Sequence, residues 1–338
     1  MELDLSTSWA YRGLSLVTLE NRFLRLQVMP QAGGKIWQIT YKPTGVDVLW
    51  NNPRIPPRVH TIHAPYDDVW SGGWDELFPV DEEARILGER YPDHGELWTG
   101  QWEAEPFSTQ DEVGVVLRFQ TPISCIAVEK TLSLRRDHAK VFCTHRFTNS
   151  GGTAFPFLWK LHPAFRVTAQ HRIDFPSMQV VREPAFPGTL ESAPQRFAWP
   201  YANTSKGEVD LRRVPQPEKR QLYFFYGTEI KDGWCAITDT HSGLSCGLHF
   251  DPAVFPSCWL FASYGGWRDY NVAVLEPCTG YPLNFESLVA AGRHKTLQPG
   301  ESFSTDVLFT VQQGIRSVAA IHADGTMVET PAEQFSAR

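Results

Sequence analysis

Three things are missing from this chain, and each absence removes a class of function. No apolar run approaches the roughly 20 residues of a helical membrane span, so no membrane partner is expected. The six cysteines, at 125, 143, 235, 246, 258 and 278, include no C-x-x-C pair, so neither a thiolate zinc site nor any other metal or cofactor is expected of them. There is no basic stripe. Lys and Arg number 31 against 38 Asp and Glu, a formal net charge of −7, and the paired arginines Arg135-Arg136 and Arg212-Arg213 read as solvated surface. Phosphate recognition wants clustered cations, so nucleic acid is not an expected partner. The opening residues Met1-Glu2-Leu3-Asp4 carry neither the basic nor the apolar part of a signal peptide, and a cytoplasmic location is the expectation. There the cysteines would be thiols, mostly buried as small apolar groups.

Helical patterning is scarce as well. Residues 284–291, with Asn284 placed to cap and Gly292 to terminate, make the best short candidate. Strand signals fill the space. Leu14 and Leu16, then Leu24, Leu26 and Val28, alternate with polar residues around Glu20-Asn21, a hairpin ending at Pro30. Gly33-Gly34 punctuates the entry to Lys35–Tyr41. Residues 126–134 and 140–147 alternate again about Arg136-Asp137-His138, and residues 234–238 and Leu244–Phe250 flank the turn cluster Thr240-His241-Ser242-Gly243. Residues 303–311 close the series after Pro299-Gly300-Glu301. Strands at short intervals without an alternating helix predict an all-β protein, a large antiparallel β-sandwich with few short helices.

With 42% hydrophobic residues, 338 residues can bury one large core, so residues 1–325 are expected as a single domain and 326–338 as a loosely held tail. Between Pro184 and Pro217 the periodicity fails and Pro187, Pro194, Pro200 and Pro215 accumulate, which reads as a long loop or insertion. Twelve tryptophans serve a core; some could equally stack on the C–H faces of a sugar.

Three islands put titratable side chains where folding does not ask for them: Asp93-His94-Gly95-Glu96, Trp159-Lys160-Leu161-His162-Pro163, and Leu275-Glu276-Pro277. Two histidines and a carboxylate suffice to move protons between two oxygens of one substrate without metal or nucleotide. If Trp159–His162 is extended, Lys160 and His162 share one face and Trp159 and Leu161 the other. Read from the residues alone, each island also has a plain account. Glu276 could be an exposed strand-end glutamate, His162 an edge-strand residue meeting water, and His94 a surface-loop histidine with Glu96 facing solvent beside it. His60 and His63 lie in a Pro/His-rich loop whose spacing is too weak to define a metal site.

In order and in strand context, the His-Gly, His-Pro and Glu-Pro motifs resemble those of the aldose 1-epimerase (galactose mutarotase-like) family. That resemblance implies a β-sandwich enzyme that interconverts sugar anomers by acid–base ring opening. Glu276 would be the base and His162 the acid toward the ring oxygen, and His94 would hold or polarise that oxygen. Lys160 would point into the same site as a donor to hydroxyls. The galactose enzymes carry an Asn-Arg pair before the His-Gly motif, where this chain reads Trp74-Asp75-Glu76-Leu77. Asp75 and Glu76, with Trp74 beside them, would then accept from paired hydroxyls and favour a small neutral sugar over a phosphorylated one. An Asp-His pair that grips a sugar hydroxyl in those enzymes has no Asp counterpart around 222–226. The rival readings are a non-catalytic carbohydrate-binding protein and an epimerase of a modified or phosphorylated sugar.

Overall fold

The computed structural model describes residues 3–331 apart from residue 187. The fold is all-β: large antiparallel sheets, with two short α-helices among the described residues, Tyr66–Val69 and Phe285–Ala290. The chain forms two compact units, Met1–Ala164 with Glu276–Asp306, and Phe165–Leu275 with Val307–Arg338. No helix among the described residues is long and apolar enough to cross a membrane.

In the first unit, one sheet runs in the spatial order Asp4–Tyr11, Leu14–Glu20, Leu24–Met29, Lys35–Tyr41, Trp74–Leu77 and Lys160–Arg166. A second sheet runs Lys140–Asn149, Ile126–Arg135, Glu112–Gln120 and Glu103–Ser108. Period-two burial shows which face of the second sheet is the core. Val113, Val115 and Leu117 point inward, and across the ladder lie Leu134, Leu132 and, unusually, Lys130. Phe78, Phe147, Phe157, Trp159 and Phe303 pack as one aromatic cluster with ring centroids 4.6–6.0 Å apart. The helix expected at 284–291 is present as Phe285–Ala290: the Asn284 side chain accepts from Ser287 N at 3.0 Å, and Gly292 follows at φ +65°. Only a residue without Cβ takes that φ cheaply.

In the second unit, Trp234–Asp239 and Leu244–Phe250 form the expected hairpin. The aperiodic stretch after Pro184 is not a bare loop. It contains Arg196–Ala198, paired to Gln179–Arg182, and a small hairpin of Tyr201–Thr204 with Gly207–Asp210. Strands of three or four residues are too short to display a period, so the prolines dominated the pattern; Pro187 lies outside the described residues. Of the expected tail, Met327–Glu329 pairs with Val318–Ile321, and Met327 joins a core cluster with Trp234, Ile315, Val318 and Ile321; residues 332–338 lie outside the described residues.

Candidate functional site

The site is built on two neighbouring strands of the first unit. Trp74–Leu77 and Lys160–Arg166 pair with Lys160 opposite Leu77 and His162 opposite Asp75. Alternation then sends Lys160, His162 and Asp75 to one face, and Trp159, Leu161, Trp74 and Glu76 to the other. Glu276 arrives from Asn271–Cys278, the strand on the other side of Lys160–Arg166. All of these residues are buried, which is costly for charges unless each finds a partner.

On the carboxylate side, the Lys160 ammonium is the hub. Its Nζ lies 2.5 Å from Glu276 Oε2 and 2.5 Å from Asp81 Oδ1. Burial drives the Glu276 pKa up; Lys160 opposes this, Asp81 adds to it, and the result is about 7. A carboxyl at that value is divided between its two forms at neutral pH, as a proton-transferring base requires. Lys160 itself is held above its usual range, because the two carboxylates outweigh the cost of its burial.

On the histidine side, Tyr66 is the hub. Its ring lies flat on His94, centroids 3.9 Å apart and 11° from parallel, while its hydroxyl stands 3.2 Å from His162 Nδ1 and donates to Asp75 Oδ2 at 3.1 Å. Asp75 is ion-paired to Lys35 at 3.0 Å, and Lys35 also donates to Ser71 Oγ and Gly72 O. His94 Nδ1 lies 2.8 Å from Asp93 Oδ1. The two imidazoles therefore sit in opposite environments. Burial lowers the His94 pKa, but Asp93 and then Asp81 more than reverse that, and it ends above 6.5. Burial lowers His162 as well, and Lys160, His94 and Lys35 push it further down, well below 6.5.

The His-Gly motif has a steric reason. His94 adopts φ +62° and Gly95 φ +72°, a tight left-handed turn pinned by His94 N to Asp81 O at 2.8 Å and Glu96 N to Phe78 O at 2.6 Å. A Cβ on Gly95 would stand 1.9 Å from Phe78 O, so no other residue fits there. The turn brings His94 onto Tyr66 while leaving its side chain 16% exposed.

With that geometry in place, comparison with known proteins decides the fold. Solved structures match nearly the whole chain at low identity. A galactose mutarotase-like protein from Clostridium acetobutylicum aligns over 92% of this chain and 99% of its own, with TM-score 0.64 and 14% identity. A galactose mutarotase related enzyme from Lactobacillus acidophilus aligns over 88% and 97%, with TM-score 0.61 and 13% identity. A Synechocystis protein aligns over 91% and 99%, with TM-score 0.67 and 18% identity. This is a galactose mutarotase-like fold. A family model described as a domain of unknown function, DUF5107, matches residues 4–86.

Within this galactose mutarotase-like fold, the three islands meet: His94, Lys160, His162 and Glu276 share one buried cluster, and Glu276 lies within the electrostatic reach of both His94 and Tyr66. Expectations for five residues need correction. Glu76 does not share the face of Asp75. It faces the other way, taking an ion pair from Lys130 at 2.9 Å, His145 Nε2 at 3.0 Å and Trp159 Nε1–H at 3.3 Å. Trp74, two residues along, falls on that same opposite face and is 2% exposed. Asp75 spends its oxygens on Lys35 and Tyr66, and Lys160 on two carboxylates, so neither is set to bind hydroxyls as expected. Glu96 is fully buried rather than solvated, accepting Ile123 N at 2.7 Å and Ser124 N at 3.3 Å to fix the turn before Ile126–Arg135. Sequence reasoning missed Tyr66, Asp81 and Lys35, and also Trp98, whose buried indole N–H has no acceptor among the described residues. His60 packs near Trp98, with ring centroids 5.8 Å apart, and His63 is exposed; among the described residues no three His, Cys, Asp or Glu are grouped to hold a metal ion.

Proposed function

We propose that this protein is an isomerase that interconverts the anomers of a neutral aldose by opening and reclosing the ring, with Glu276 as base and His94 as acid. The observation that carries the reading is the convergence of residues 93–94, 160–162 and 276 on one buried cluster, joined through Lys160 at 2.5 Å from Glu276 and through Tyr66 against both histidines.

Ionised Glu276 takes the proton from the C1 hydroxyl. The C1–ring oxygen bond breaks, its electron pair moves to the ring oxygen, and that oxygen receives the proton from His94 Nε2. His94 is suited to give it because Asp93 holds its Nδ1 and favours the imidazolium. The open chain rotates about C1–C2. On closure His94 recovers its proton, Glu276 returns its own, and no atom is gained or lost. The acid role thus moves from His162, which the resemblance implied, to His94, since burial, and after it three neighbouring cations, hold the His162 pKa down and keep it neutral.

The preference for a neutral sugar rests on charge. Lys35 is committed to Asp75 and Lys160 to Asp81 and Glu276, so a sugar phosphate would meet cations already paired. The test is exchange NMR on freshly dissolved neutral aldoses and on their 6-phosphates, with calorimetry in parallel. Acceleration of a neutral sugar supports the proposal. Tight binding without acceleration of any sugar makes the chain a carbohydrate-binding protein, and acceleration confined to phosphorylated sugars overturns the substrate class.

A further inference from the structure

The site described above contains a chain of contacts that the ring-opening chemistry does not use: Lys35, Asp75, Tyr66 and His162, each within hydrogen-bond distance of the next. We propose that Lys35, Asp75 and Tyr66 are positioning residues that fix the tautomer of His162, placing its proton on Nδ1 and leaving Nε2 as a bare acceptor for a substrate hydroxyl. As a statement about substrate this rests on the anomer-exchange reading; as a statement about the tautomer it does not depend on that reading.

Donor and acceptor counting gives the direction. An ion-paired carboxylate accepts and never donates. Asp75, 1% exposed, has Lys35 Nζ at 3.0 Å on Oδ1 and the Tyr66 hydroxyl at 3.1 Å on Oδ2. Lys35 Nζ also reaches Oδ2, at 3.3 Å, but the closer Tyr66 hydroxyl can only donate to a carboxylate oxygen, and the 3.1 Å contact takes its one proton. The Tyr66 oxygen is then left with lone pairs toward His162 Nδ1 at 3.2 Å, and that contact is a hydrogen bond only if Nδ1 carries the proton. The tyrosine ring cannot swing away from these contacts. Its ring is held flat on His94 and edge-on to Trp98, with centroids 4.9 Å apart at 86°. Trp70 packs edge-on to the His162 ring at 5.5 Å and limits its freedom too. Burial lowers the His162 pKa, and Lys160, His94 and Lys35 lower it further, so it holds a single proton rather than two.

The consequence is a division of labour between the histidines. Asp93 on Nδ1 makes His94 a charged donor at Nε2, whereas Tyr66 on Nδ1 makes His162 a neutral acceptor at Nε2. A pocket with one fixed donor and one fixed acceptor distinguishes a hydroxyl, which can satisfy either, from a group that only accepts. Losing a hydroxyl that pairs with a buried acceptor costs binding heavily, because the acceptor is then left unsatisfied.

Long-range proton–nitrogen correlation spectra of the full chain, labelled at the histidine rings and recorded at pH 7, read the tautomer directly. The expected pattern for His162 is a protonated Nδ1 and a bare Nε2. In Tyr66→Phe, which keeps the ring on His94, the His162 pattern moves to or mixes with the Nε2-protonated form that free imidazole favours, while the His94 signals stay. Asp75→Asn, whose amide can donate toward Tyr66, moves it the same way. In turnover, Tyr66→Phe raises KM by about tenfold with a smaller change in kcat, as expected for one lost charge-free hydrogen bond to a hydroxyl. A wild-type His162 protonated on Nε2 overturns the inference, as does a His162 pattern that neither variant changes. Because the spectra need no turnover, a wild type that accelerates no sugar refutes the function and leaves the tautomer result readable.

Discussion

Replacing Lys160 by Met removes the cation that bridges two buried carboxylates, and the direction of the effect can be worked from the charges around Glu276. With Lys160 present, burial and Asp81 raise the Glu276 pKa and Lys160 restrains it, giving about 7. Without it, Glu276 and Asp81 remain as like charges in a buried site, deprived of the ammonium between them. Loss of an opposite charge at contact distance shifts a carboxyl by ~1–3 units, here upward. One unit lowers the ionised fraction of Glu276 at pH 7 from about one half to about one tenth, and two units to about one hundredth, a rate loss of ~5- to 50-fold from protonation alone. His94 moves in the same direction, since Lys160 is among the charges that lower its pKa. Activity needs Glu276 ionised and His94 protonated, so the profile of kcat/KM against pH is a bell whose acid limb lies near 7 in the wild type. In Lys160→Met both limbs move to higher pH, and much of the lost rate returns on raising the pH. Anomer exchange followed by NMR from acid to alkaline pH measures this. A bell that stays in place, or one that moves to lower pH, would refute the electrostatic account of Glu276.

Two further outcomes rest on contacts of the same kind. Glu76→Ala leaves Lys130 and His145 buried without their carboxylate and should cost ~3–5 kcal/mol of stability in urea titration at pH 7, as breaking a buried pair typically does. Burial alone would raise the Glu76 pKa, yet His145 and Lys130 hold it well below the usual carboxylate range. Its stabilisation is therefore full above the unfolded pKa and fades as pH falls, and the wild type and variant should converge in acid; an equal gap at every pH would contradict this. His94→Gln should lower kcat by ~10²–10⁴ and abolish the alkaline limb of the bell, whereas His162→Gln should raise KM and leave that limb in place. If the alkaline limb vanishes with His162 instead, the acid has been misassigned.

Much of the fold could be read from the residues because its long strands alternate. Leu14–Glu20 with Leu24–Met29, Ile126–Arg135 with Lys140–Asn149, and Trp234–Asp239 with Leu244–Phe250 all stand where the period-two pattern puts them. The same rule gave the shared face of Lys160 and His162. It would also have separated Asp75 from Glu76, had Trp74–Leu77 been read as a strand; without that, two adjacent acids looked like one binding pair. What the pattern could not show is a partner brought by the fold from an unpatterned segment. Tyr66 sits on a four-residue helix, Asp81 in a loop, and Lys35 in the first position of a strand where a charge usually meets water. Each is recognisable only through the residue it touches. Glu96 looked solvated because its neighbours form a turn, yet it supplies acceptors to the backbone of a second turn 27 residues on.

The central claim, that the cluster around Glu276 opens and closes an aldose ring, is tested most directly by comparing wild type with Glu276→Gln. Magnetisation-transfer NMR on equilibrated neutral aldoses gives the rate of exchange between α and β anomers without any change in their amounts. The wild type should accelerate exchange of at least one sugar far beyond its rate in water, and Glu276→Gln, with an unchanged far-UV spectrum, should lose at least ~10²-fold of that acceleration. A folded Glu276→Gln protein that exchanges the same sugar at close to the wild-type rate would contradict the account.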